Sequence, residues 1–173
     1  MVAYPDPMNA FDDALAEAIR LTEARQLDAA LARLDALPAA EQGRLELLAL
    51  RCEIFLLQGD WRRASRIGAA LAKADPRNPA HWVHWAYATR RDQSLVLAEK
   101  ILEEAHALHP TNPTIAFNLA CYCAQSQRLD DALAWLRRAV ALEARFATVA
   151  RSDPDLAPLR AWLSPGHAVW HVE

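Results

Sequence analysis

Glycine is nearly missing from this chain, with four residues in 173 against ten prolines. Val, Ile and Thr are sparse, while Ala, Leu and Arg dominate. β-Branched residues lose rotamer freedom in a helix and Ala and Leu lose little, so the composition favours helices over strands. No run approaches the ~18 consecutive apolar residues of a membrane span. The opening MVAYPDPMNAFDD has neither the basic region nor the apolar run of a secretory signal. Three cysteines, Cys52, Cys121 and Cys123, are an odd number for a disulfide framework and read as reduced thiols of a cytoplasmic protein. A net charge of −3 is too small to drive binding to nucleic acid or an anionic membrane. No Gly-rich phosphate loop, serine-nucleophile motif or HExxH-type helix occurs, so neither catalysis nor a cofactor is expected. The length suits one domain or one short repeat array.

What is present is a period. Pro76 and Pro110 stand 34 residues apart, as do Asn78 and Asn112, and Pro79 and Pro113. Ala30, Ala64, Ala98 and Ala132 follow the same interval. Four gap-free blocks result, 11–44, 45–78, 79–112 and 113–146, preceded by an extension at 1–10. Each block holds two apolar series at three- and four-residue steps, as two helices burying one face require. In the third these are Trp82, Trp85, Ala86 and Tyr87, then Leu95, Ala98, Ile101, Leu102 and Ala105. Gly59 offers a left-handed helix end and Asp60 a cap for the next helix. Asn78-Pro79 and Asn112-Pro113 each pair a capping side chain with proline at the first helical position.

The third block resembles the tetratricopeptide repeat, whose pattern runs Trp, Leu-Gly, Tyr, Ala, Phe and Pro. It places Trp82, Trp85-Ala86, Thr89, Ala98, Leu102 and Pro110 at those positions. The second block keeps Gly59-Asp60-Trp61, Ala64 and Pro76; the fourth keeps Leu119-Ala120, Ala132, Leu136 and Ala139; the first keeps Ala30, Leu34 and Leu37. The resemblance implies an all-α protein, a right-handed α-solenoid of four helix hairpins. Beyond Phe146 the period breaks, and 147–163 reads as capping helices that cover the apolar end of the stack, followed by a tail at 164–173.

The resemblance also implies a concave face lined by the first helix of each block, where the family binds polypeptide ligands. It carries over to Leu15 and Ile19 in the first block and Glu53 and Leu56 in the second. In the third it falls on Val83, Tyr87, Arg90 and Arg91, and in the fourth on Phe117, Cys121 and Gln125. The basic and Asn positions with which one branch of the family clamps a terminal carboxylate hold Leu15 and Ile19, Ala49 and Glu53, Val83 and Tyr87, and Phe117 and Cys121 instead. The clamp is absent. The face that remains is mainly apolar and suits an amphipathic helix or extended apolar segment. Leu15, Ile19 and Phe117 would serve equally as packing residues, and Arg90 and Arg91 as a solvated helix end.

His81 and His84 lie three apart, as do His106 and His109, and a hairpin would bring the two pairs towards each other. Helical histidine pairs usually need no ligand, and no metal is assigned. Trp61, Trp82 and Trp85 are expected in the core, whereas Trp135 and Trp170 have no obvious place. The reading is a protein-binding adaptor, scaffold or chaperone-like module. The alternative is a homo-oligomer assembled through repeat edges or tails, with Trp170 in its own or a neighbour's groove.

Overall fold

The structure, a computed structural model, describes residues 7–164 and 166–170. Most of the expected extension at 1–10, and Pro165 and residues 171–173 of the expected tail, lie outside the described residues. Among the described residues the chain forms ten α-helices and no strand. The helices are α1 (Pro7–Glu23), α2 (Leu27–Asp35), α3 (Leu45–Gln58), α4 (Trp61–Ala74) and α5 (Pro79–Asp92). They continue with α6 (Leu95–Leu108), α7 (Pro113–Gln125), α8 (Leu129–Leu142), α9 (Arg145–Ser152) and α10 (Ala157–Trp162). The first eight make four hairpins stacked as a right-handed α-solenoid, and α9 and α10 close its last face.

Local chemistry sets the joints. Gly59 ends α3 in the left-handed region at φ 74°, and the Asp60 carboxylate accepts the Arg63 N–H at 3.0 Å to start α4. Asn78 accepts from the Ala80 N–H and Asn112 from the Ile115 N–H, both at 3.0 Å, with proline at the first turn of α5 and α7. Each cap satisfies an N–H that has no partner inside the helix. The joint at Asp75–Pro79 is drawn in further because the Trp82 indole N–H donates to the Pro76 carbonyl at 3.1 Å. The Nε2 of His109 lies 2.9 Å from the same oxygen.

The repeating alanines Ala30, Ala64, Ala98 and Ala132 are fully buried, as are Ala86 and Ala120, so neighbouring helices approach closely at each. Gly68 is tighter still. A Cβ there would lie 2.8 Å from Trp85 Cα, backbone against backbone. Of the tryptophans expected in the core, Trp82 is buried, while Trp61, the first residue of α4, and Trp85, beside Trp82, are only half-buried. Trp170 finds a place in the core beside α8 and α9, where Arg151 donates to its carbonyl. Trp135 is half-buried, edge-on to His106 with centroids 4.8 Å apart.

Candidate partner-binding groove

α1, α3, α5 and α7 line one side of the stack, the side expected to be concave. The chain's own cap occupies its C-terminal half. Arg90 grips Asp155 with both guanidinium nitrogens, one bond measuring 2.7 Å, and Gln125 donates to the Asp155 carbonyl at 2.8 Å. Phe146 stacks on Phe117 with centroids 4.7 Å apart, leaving Phe117 6 % exposed. Cys121 is 3 % exposed beneath Asp153 and Asp155. Burial chiefly pushes its thiol up, the two carboxylates add to the effect, and Arg90 opposes them. Arg90 itself is held protonated above its usual range, mostly by its hydrogen bonds to Asp155. The two carboxylates are already committed, Asp155 to Arg90 and Asp153 to the Asp155 N–H at 2.9 Å. Four expected contact residues, Arg90, Phe117, Cys121 and Gln125, therefore serve an intramolecular segment. Sequence spacing places residues on an inner face but does not reveal which other part of the chain folds back onto it.

The N-terminal half is open. A cavity of about 420 Å³ lies between Leu15, Ile19, Thr22 and Glu23 of α1, Glu46, Ala49, Leu50 and Glu53 of α3, and Ala80, His81 and His84 of α5, with Asn78 at its edge. Leu50 is buried and Ile19 is 41 % exposed, so the cavity has an apolar floor and an apolar lip. A second depression of about 250 Å³ continues past Val83 to Asn112 and Thr114. The open track is oblique, crossing the C-terminal half of α1, the N-terminal half of α3 and the first turns of α5 and α7. This slant brings in His81 and His84, whose three-residue spacing suggested only a ligand pair.

The four histidines expected to converge do not. His81 lies between the Asn78 amide and the Asp75 carbonyl, His106 packs on Trp135, and His109 faces the Pro76 carbonyl. His84 faces the cavity, where burial holds its pKa below the usual range against the pull of Glu53. Leu56 is half-buried against the core and contributes packing. Tyr87 and Arg91 stand outside the cavity at the far lip. The Arg91 guanidinium lies 3.6 Å above the Tyr87 ring and 5.1 Å from Trp61, beside a broad depression lined also by Arg62, Arg63 and Asp92.

Solved structures share the fold. TTC0263, a thermophilic TPR protein in Thermus thermophilus, superposes with a TM-score of 0.67 at 20 % identity, over 87 % of this chain and 86 % of its own. The fold is that of a tetratricopeptide-repeat protein. MamA gives a TM-score of 0.71 at 13 % identity over 88 % of this chain and 85 % of that one. MamA from residue 41 to its end, from Desulfovibrio magneticus RS-1, gives 0.69 at 18 % identity over 86 % and 82 %. No protein-family profile and no curated protein matches the sequence. Tetratricopeptide-repeat packing positions ask for size and apolarity more than for identity, so the fold persists where sequence likeness has faded.

Proposed function

We propose that this chain is a protein-interaction module, an adaptor or scaffold without catalytic chemistry, that holds a segment of a partner polypeptide in the N-terminal half of its concave face. The observation that carries this reading is the cavity between α1, α3 and α5, open and apolar-floored, beside a C-terminal half filled by Asp153–Leu156 and Phe146. Its volume lies in the range of about 300–1,000 Å³ typical of ligand sites. Three buried free thiols are compatible with work in the cytoplasm. Among the described residues no helix is long and apolar enough to cross a membrane.

The test uses tagged wild type beside Ile19→Asp and Ala49→Glu, expressed in the source organism with captured proteins identified by mass spectrometry. A protein enriched by wild type and lost from both folded variants supports the reading. Equal enrichment by all three removes it. Self-assembly is the second reading, favoured by Val96, Leu97 and Leu108 on α6, which are 62 %, 44 % and 55 % exposed. Light scattering over a concentration series tests it; a monomer throughout eliminates it.

A further inference from the structure

The cavity has a charge character that its family frame does not supply. Its wall carries three carboxylates, Glu23, Glu46 and Glu53, and no lysine or arginine, in a chain with 19 of them. Glu46 has an exposed cation nearby, Arg44 at 3.7 Å. Among the described residues neither Glu23 nor Glu53 has a basic group within ion-pair distance. Burial holds His84 below its ordinary pKa, so its ring offers little charge at neutral pH. The acidic rim therefore surrounds an apolar floor made by Leu15, Ala49 and Leu50, and two of its three carboxylates, Glu23 and Glu53, have no cation paired with them among the described residues.

Resting on the interaction-module reading, we infer that the occupant is a polypeptide segment presenting a bulky aliphatic or aromatic side chain with lysine or arginine close beside it. The apolar side chain fills the floor, and the cation meets Glu23 and Glu53, which are otherwise like charges facing one space. Orientation follows from the same asymmetry, since the cavity's carboxylates lie on α1 and α3 while α5 contributes Ala80, His81 and His84 and no carboxylate. The segments at 1–10 and 164–173 do not match this occupant. Neither MVAYPDPMNA nor SPGHAVWHVE contains a lysine or arginine.

Fluorescence anisotropy with three labelled peptides of one length tests this. Each has a central Leu-Phe pair, flanked by lysine, serine or glutamate. The lysine peptide should bind tightest and the glutamate peptide weakest, and added salt should erase most of the difference. Glu23→Gln and Glu53→Gln should each weaken the lysine peptide by about two- to fivefold and leave the serine peptide unchanged. Glu53→Lys should invert the order of lysine and glutamate peptides, which loss of structure cannot do. Ala49→Arg should abolish all binding, with circular dichroism confirming the fold and Ile19→Arg as the second blocking variant. Three peptides bound equally, and lost together in Ala49→Arg, would overturn the cationic occupant while leaving the pocket in place. Binding untouched by both blocking variants, or no binding by any peptide, would overturn the pocket as well. Self-association of wild type that Ala49→Arg abolishes would give the site to a second copy. Spermidine that saturates the site and displaces the lysine peptide at lower concentration would give it to a small cation; either result overturns the inference.

Discussion

At the residue scale the helix-to-helix turns show how a repeat solves one problem with different side chains. Arg25, Gly59 and Gln127 occupy the same place in the period, and all three are left-handed, at φ 60°, 74° and 60°. Only one is glycine. A Cβ in this region costs about 1–2 kcal/mol. Gly59→Ala should therefore destabilise by about 1–2 kcal/mol, and Gln127→Gly should be neutral or stabilise by up to about 1 kcal/mol, in urea melts. Opposite signs at equivalent positions are the expected result. Burial acts on the titrating groups in the same local way. It raises the Cys52 thiol to about 11 and the Cys123 thiol to about 12. The unfolded chain loses these protons near pH 8.5, while the folded one keeps them, so stability should fall as pH climbs from about 8.5 towards 11. His84 and His106 are lowered by burial, so the unfolded chain takes protons first and stability should also fall below about pH 6.5. A thermal midpoint that peaks between these limits is the outcome to check; a flat profile from pH 7 to 10.5 would contradict it.

At the scale of elements, helices and their caps were legible because each depends on a few adjacent residues, such as Asn78-Pro79 or Gly59-Asp60. What adjacent residues cannot express is compensation between helices. The period places Leu34, Leu102 and Leu136 at one core position, but Gly68 stands there in the second hairpin. The missing side chain is replaced by the close approach of α5 at Trp85. Gly68→Ala should cost about 1–3 kcal/mol by overpacking. Trp85→Ala should not relieve it, because the atoms in the way, Cα at 2.8 Å and N at 3.0 Å, are backbone. A double mutant as stable as Trp85→Ala alone would show that α4 and α5 can separate freely.

At the scale of the whole molecule, the cap both ends the stack and turns into the concave face. Breaking its anchor with Arg90→Ala leaves Asp155 half-buried without its main partner and should cost about 1–2 kcal/mol, between exposed and buried ion pairs. The local signature should be sharper than the global one. Cys121 should become open to iodoacetamide in the native protein, while Cys52 stays protected. Equal protection of both thiols would mean that Phe117 and Phe146 hold the cap without the ion pair. This closure was not legible because Asp155 and Arg90 are 65 positions apart in sequence. Of the positions the family resemblance implied on α1 and α3, Leu15, Ile19 and Glu53 line the cavity, whereas Leu56 packs against the core.

The interior is also unevenly divided. One large apolar core runs from the end of α4 through the cap to Trp170, a small one joins α1, α2 and α3, and a third, around Cys52, Phe55 and Leu71, links α3 and α4 to Ala88 of α5. The acidic cavity lies over the boundary between the small core and its neighbours, with Leu15 and Ile19 on one side and Ala80 and His84 on the other. A segment bound there would bridge the two sides like a clasp, adding apolar contacts where the interior passes from one cluster to the next.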